Sequence, residues 1–314
     1  MTVRGKPTAK EKSTNQLIAN RANEFGLTRD DALEQYLING ILARLGLSAE
    51  SKNFILKGGV LVSNLVNEPF RFTRDIDLHR TKAPPNPDHI RESFKTVVAI
   101  KRDDGITFGA VTAKAAEHET DGYDGVTVHI EAGVGLAWRK MKLDIGFGDA
   151  VVPKAKKRTL RPFLPDDPPP TLKTYPEEAV IAEKVESILK RTPDLEHRMK
   201  DLLDVVSLAG QRSFAGQQLV SSLTATFKNR GLKVDFAALD EMPKEVGARK
   251  PKQSEWAKMQ KDKNVRKAID LPNAVACFLL FVRPLLDAMA GNAETPTHWP
   301  AGGPWDAQDE SGGS

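Results

Sequence analysis

Cysteine is almost missing from this sequence: Cys277 is the one thiol in 314 residues. An internal disulfide is therefore excluded, and with no Cys/His cluster at zinc-ligand spacing a structural zinc is not expected either. Long apolar runs are missing too. The longest strictly apolar stretch, Ala274 to Val282, falls well short of the ~20 residues that a helical membrane span needs, so no membrane partner is expected. The opening residues, MTVRGKPTAKEKSTNQ, lack the apolar core of a secretory signal, which makes the cytoplasm the expected compartment. The phosphate-binding pattern G-x-x-x-x-G-K-[ST] is absent. Charge, by contrast, is plentiful and nearly balanced: 46 Lys/Arg against 42 Asp/Glu leave +4, with a pI near 9.0. That balance permits an anionic partner without demonstrating one.

The length exceeds the size at which single hydrophobic cores stop growing, so two lobes are expected. Thr28 followed by Asp31 is a helix N-cap signature, and Ala32, Leu33, Tyr36, Leu37, Ile41, Leu42 and Leu45 recur at helical spacing toward Gly46. Phe54 to Leu56 leads into Lys57-Gly58-Gly59 and a short apolar helix, with a turn at Asn67-Glu68-Pro69. Residues 71–79 read as a strand, as do 106–113, 126–132 and 141–147, with a helix over 89–100. Residues 153–176 hold seven prolines and six Lys/Arg, too many ring constraints for a helix or a central strand, and mark the lobe boundary. Beyond it the pattern predicts helices near 177–191, 198–209, 215–228, 252–266 and 272–290, the last interrupted by Pro284. The fold class is therefore α+β: a mixed sheet flanked by helices, then a helical C-terminal lobe.

Asp75 and Asp77 stand two apart on a predicted strand, so their side chains share one face while Ile76 and Leu78 share the other. Like charges on one face repel and call for a cation. A solvated edge strand is the plain alternative; a hard divalent cation such as Mg²⁺ or Mn²⁺, clamping nucleotide phosphates, is the functional one. Just upstream, Lys57-Gly58-Gly59 opens a helix. Glycines let the backbone approach an anion, and the helix start offers free N–H groups. Asp144 stands between Leu143 and Ile145, where it either completes a metal site near a substrate hydroxyl or ends a strand. On the helix from Glu177, Lys184 falls within the apolar arc of Val180, Ile181, Val185, Ile188 and Leu189, with Glu183, Glu186 and Lys190 opposite. A lysine so placed needs an anion, either phosphate or carboxylate. The expected anion is phosphate, with Lys184 stabilising the charge that develops on it, so Lys184→Met is expected to abolish transfer at nearly unchanged melting temperature; were the anion a carboxylate, stability would fall instead. The next helix puts Asp201 at the edge of its apolar arc, within reach of Arg198, and Asp204 on the polar side. Eight Lys/Arg lie between Arg249 and Lys267 with Trp256 among them, either an RNA patch in which Lys258, Lys261 and Lys263 touch phosphates or a solvated face.

KGGVLVSNLVNEPFRFTRDIDL, MKLDIGFGD, YPEEAVIAEKVESILKR and RMKDLLDVVSLA, in this order, resemble the AbiEii/AbiGii-type toxin family of nucleotidyltransferases, over about residues 15 to 290. The pattern along the chain gives a core lobe over 15–172 and a helical lobe over 173–290, and polar, aliphatic-poor composition gives disordered tails over 1–14 and 291–314. The resemblance implies a polymerase-beta-like nucleotidyltransferase fold. It implies Mg²⁺ and an NTP donor, an RNA acceptor such as the tRNA 3′ end, and a cognate antitoxin. It assigns Gly58, Gly59, Asp75 and Asp77 to the nucleotide and metal motif, and Lys184 and Asp201 to later motifs. The chain departs from the wider superfamily at Gly59, where Ser is usual, and at Val60, where many relatives carry Thr; Ser63 is a candidate replacement hydroxyl. A metal-dependent nuclease using the same acids, or a non-catalytic RNA-binding partner of an antitoxin, remains the alternative reading.

Overall fold

The structure is a computed structural model and describes residues 6–66, 73–81, 84–116, 125–192, 195, 198–263, 265 and 267–306. The chain forms two compact units: Met1–Asn64, Phe72–Gly148 and Lys156–Thr174 make the first, and Leu65–Arg71, Asp149–Ala155 and Tyr175–Ser314 the second.

In the first unit, helices α1 (Ala9–Phe25) and α2 (Arg29–Leu47) precede strand β1 (Phe54–Lys57), helix α3 (Gly58–Leu65), strand β2 (Asp75–Arg80) and helix α4 (Pro87–Val98). Strands β3 (Ile106–Ala115), β4 (Gly125–Val134), β5 (Ala137–Phe147), β6 (Lys156–Thr159) and β7 (Thr171–Thr174) follow. They form one seven-stranded sheet in the order β3-β4-β5-β2-β1-β7-β6. It is mixed, since β2 runs parallel to β5 and β1 parallel to β7, while the other neighbours are antiparallel. Alternation gives the sheet one apolar face, where Leu56, Ile76, Leu78, Val128, Leu143 and Ile145 are buried. Helices α2 and α4 pack on the sheet, and α1 on α2. Arg44 is buried in this core because Asp104 meets it with two bonds, at 2.6 and 3.0 Å.

Several expectations change here. The tail expected over 1–14 is helical from Ala9, because Thr8 and Glu11 form a reciprocal capping box that satisfies the first N–H groups of α1. Thr73 and Arg74 precede β2 rather than forming part of it, and residues 67–72, including the turn expected at Asn67-Glu68-Pro69, lie outside the described residues. The strand expected over 141–147 begins at Ala137, since β4 and β5 are joined by the two-residue turn Gly135-Leu136 with Gly135 at φ +58°. The proline-rich segment does contribute strands. All seven of its prolines fall outside β6 and β7, so neither ladder loses a donor.

The second unit is helical: α5 (Glu177–Leu189), α6 (Met199–Gln211), α7 (Gly216–Arg230), α8 (Phe236–Met242), a π-helical turn at Pro243–Gly247, α9 (Lys250–Asp262) and α10 (Leu271–Ala290). Pro284 lies inside α10 without ending it. By length and composition α10 alone among the described helices could cross a membrane, yet it buries Ala274, Val275, Phe278, Phe281, Val282, Leu285 and Leu286 within the protein. The tail expected from residue 291 is ordered at least to Asp306. β9 (His298–Trp299) pairs with β8 (Phe214–Ala215), and Trp299 meets Phe281 edge-on while Trp305 stacks on it, with ring centroids 4.8 and 5.7 Å away. Three aromatic rings supply the burial that a Gly/Pro-rich segment otherwise lacks.

Candidate active site

The polar face of the sheet carries the candidate site. Because neighbouring strands place register partners on the same side, pairing alone builds two rows. Thr127, Asp144, Asp77 and Lys57 lie side by side across β4, β5, β2 and β1, and His129, Lys142 and Asp75 form the parallel row across β4, β5 and β2. Three carboxylates from two strands thus share one face.

Asp77 lies against the glycine turn. Gly58, the first residue of α3, has φ +65°, and a Cβ there would fall 1.9 Å from Asp77 Oδ2, so this turn tolerates no side chain. The Gly59 N–H donates to the same oxygen at 3.4 Å. Loss of water pushes the Asp77 carboxyl above the ordinary aspartate range; Lys57 pulls it back, while Asp144 and Asp75 push it further up. Asp144 accepts from Thr127 Oγ1 at 3.0 Å and pairs with Lys142 Nζ at 2.7 Å. Lys142 also reaches toward Asp75, at 3.9 Å. Burial lowers the Lys142 ammonium, but the hydrogen bond and charge of Asp144, with Asp75 and Asp77, outweigh it and leave its pKa raised. His129 beside it is lowered by burial and by Lys140, Lys114 and Lys142, against Asp144.

Gly59 has its own reason. A Cβ there would meet Thr73 Oγ1 at 2.6 Å, so the serine usual in the superfamily has no room without a shift of Thr73. Ser63 does not replace it, because its hydroxyl donates to the Val60 carbonyl at 2.8 Å.

Lys184 and Asp201 belong to the second unit. The Lys184 ammonium lies 2.8 Å from Asp201 Oδ1 and 2.6 Å from Asp204 Oδ2, with Arg198 3.7 Å from Asp201 Oδ2. Burial alone would raise the Asp201 carboxyl; the charge and hydrogen bond of Lys184 outweigh it and hold it below the ordinary range. The expectation that Asp204 faces a polar side is overturned: its side chain is 2% exposed. Glu186, placed on the outer face of its helix by the same reasoning, is also buried and accepts from Arg230 at 2.8 Å. On α9, Lys258 and Lys261 are exposed, whereas Trp256 is buried and donates its indole N–H to the Ile269 carbonyl at 2.6 Å, so it offers no surface for stacking a base.

The model of the AbiEii nucleotidyl transferase toxin, of the type IV toxin–antitoxin system, matches residues 40–271. The chain belongs to the AbiEii family of nucleotidyltransferase toxins. Among solved structures, MenT4, a nucleotidyltransferase toxin from Mycobacterium tuberculosis H37Rv, is similar with a TM-score of 0.51 at 15% identity, over 89% of this chain and 99% of that one. JHP933 from Helicobacter pylori is similar with a TM-score of 0.44 at 15% identity, over 91% of this chain and 95% of that one. A search of curated proteins gave no match. The AbiEii match covers every sequence-derived candidate, from Lys57 through Lys263. Sequence reasoning passed over Lys142, Thr127 and Thr73, and set Asp204 aside on the wrong face of its helix. Lys142 was legible, since it alternates with Met141 and Leu143 and so shares a face with Asp144.

The AbiEii fold implies a divalent ion, and the donors suit one. Asp75, Asp77 and Asp144 offer only hard carboxylate oxygens, and a cationic group, Lys142, already lies against two of them. Among the described residues no three Asp, Glu, His or Cys side chains converge to hold an ion by themselves. That is compatible with Mg²⁺, which is usually held by one or two carboxylates together with waters and substrate phosphates.

Proposed function

We propose that this AbiEii-family toxin transfers a nucleoside monophosphate from an NTP to the terminal hydroxyl of an RNA, with the tRNA 3′ end as acceptor, and that a cognate antitoxin restrains it in the cytoplasm. The observation that carries this reading is the polar row of the sheet, with Asp77 lodged against Gly58 and flanked by Asp144 and Asp75.

Asp75 and Asp77 would hold Mg²⁺ or Mn²⁺, with Asp144 completing the site near the attacking hydroxyl, and the ion would neutralise charge on the phosphates of the bound NTP. The other steps fall to the chain. Gly58 and Gly59 let the start of α3 fit closely against Asp77 and Thr73, and the remaining backbone N–H groups of this helix start are the ones offered to phosphate. Lys57, paired in register with Asp77, adds positive charge at the same strand end. The acceptor hydroxyl oxygen bonds to the α-phosphorus, the bond to the bridging oxygen breaks, and pyrophosphate leaves with its electron pair. Asp144, oriented by Thr127, takes the hydroxyl proton and passes it to solvent. Lys184 is assigned to Asp201 and Asp204 rather than to phosphate, because both carboxylates already surround its ammonium. Lys258, Lys261 and Lys263 are assigned to RNA phosphates.

The test uses end-labelled tRNA with each NTP in turn and Mg²⁺. Lengthened tRNA and released pyrophosphate are expected, both lost in EDTA. Asp75→Asn and Asp77→Asn should each lower transfer by at least about 10²-fold. Their melting temperatures should hold or rise, since each removes one of several crowded negative charges. Shortened tRNA without any need for NTP would overturn transfer in favour of a nuclease.

A further inference from the structure

Lys142 is a cation of the chain's own, set where the proposed site calls for one. It lies opposite Asp75 in the β2–β5 register and two residues from Asp144 on the same face of β5. Its ammonium is 2.7 Å from Asp144 and 3.9 Å from Asp75, so it bridges carboxylates from two strands. About half of its side chain is exposed, and a flexible four-carbon stem lets the ammonium swing into water at little cost. A divalent ion approaching the same oxygens would meet this positive charge at a few ångströms, where the repulsion is substantial even with strong screening.

We propose that Lys142 is an internal counter-cation that competes with the divalent ion for Asp75 and Asp144. The inference rests on the metal reading of the site given above and adds to it. Before ion and nucleotide arrive, Lys142 holds the acids of β2 and β5 together against their own repulsion. When the ion binds, the ammonium is displaced, and the phosphates of an incoming nucleotide are the anions nearest in kind to the ones it leaves. Binding of the ion alone is therefore weak.

The experiment measures Mn²⁺ binding to the full chain without nucleotide, by electron paramagnetic resonance of the free ion. Lys142→Met, which keeps the stem and removes the charge, should bind Mn²⁺ roughly tenfold more tightly than wild type, by the loss of one partly screened charge. Lys142→Arg, which keeps the charge, should bind like wild type. If Lys142→Met does not fold by circular dichroism, Lys142→Gln takes its place. Unchanged or weaker Mn²⁺ binding in the neutral variant overturns the inference, as does an arginine variant as tight as the methionine one. Asp77→Asn separates the two claims. If it abolishes Mn²⁺ binding while Lys142→Met binds like wild type, only the role of Lys142 fails; if it leaves Mn²⁺ binding intact, the metal reading fails with it.

Discussion

Lys184 shows how much one residue's surroundings decide. Its place in the apolar arc of α5 means that it needs an anion, and the sequence leaves open which kind. The structure supplies two carboxylates from one turn of α6, with side-chain exposures of 12%, 9% and 2% for Lys184, Asp201 and Asp204. Lys184→Met removes the shared cation from both and leaves Asp201 the longer contact to Arg198, and breaking a buried pair from one side typically costs about 3–5 kcal/mol. The expected result is a clear fall in urea midpoint at neutral pH. The pH dependence follows from the sign of the shift. Asp201 is held below its ordinary range in the folded state, so its contribution is present above the unfolded carboxylate pKa and is lost as pH falls through the lower folded value. The gap between wild type and Lys184→Met should thus be full near pH 7 and close below about pH 4. A variant with wild-type stability across that range would return Lys184 to a role at phosphate. Asp204 was not legible as its second partner, because a helical wheel assumes one buried face. α6 buries residues all around its first two turns: Asp201, Leu202, Leu203, Asp204 and Val205 in succession.

At the scale of elements, the sequence discloses most where local chemistry is self-contained. The strand β1, the glycine turn, α2 and helices α5, α6, α7, α9 and α10 are readable from periodicity and caps, and so is the shared face of Asp75 and Asp77, whereas α8 and the turn at Pro243–Gly247 were not expected. What pairs with what is not readable, because register partners such as Asp77 and Asp144 are far apart in sequence and meet only through the sheet. β6 and β7 are hidden by prolines that flank them, and β9 by the glycines and prolines around His298 and Trp299. The start of α1 was legible and passed over: Thr8 and Glu11 have the S/T-x-x-E spacing of a capping box. In the structure the Thr8 hydroxyl accepts from the Glu11 N–H at 3.2 Å and the Glu11 carboxylate accepts from the Thr8 N–H at 2.7 Å. Thr8→Ala should cost about 1 kcal/mol. Faster amide exchange confined to the first turn of α1, with transfer activity unchanged, is the expected signature. No change in exchange there would mean that the cap contributes nothing to holding the helix.

For the whole molecule, near-balance of charge constrains how a polyanion can be bound. With 46 basic and 42 acidic side chains, a diffuse field is too small to gather RNA, so affinity must come from where the charges lie. α9 is one such place in the second unit. It turns Trp256 and Gln260 inward, which leaves Lys258 and Lys261 exposed on other faces, and Lys263 caps its C-terminal end. The buried Trp256 removes base stacking from the account, so any binding through this helix is to phosphates and insensitive to sequence. Replacing Lys258, Lys261 and Lys263 together by Gln should then weaken RNA binding and flatten its dependence on salt. Each lost phosphate contact should reduce the slope of log affinity against log salt by about 0.7–0.9, so three contacts would remove roughly 2–3. Mn²⁺ binding without RNA should be untouched, because the proposed ligands are on the sheet of the first unit. The measurement is RNA affinity by fluorescence anisotropy at several salt concentrations. A slope equal to that of wild type would show α9 to be a solvated face, and the phosphate contacts would have to be sought among Lys114, Lys140 and the other basic groups on the sheet.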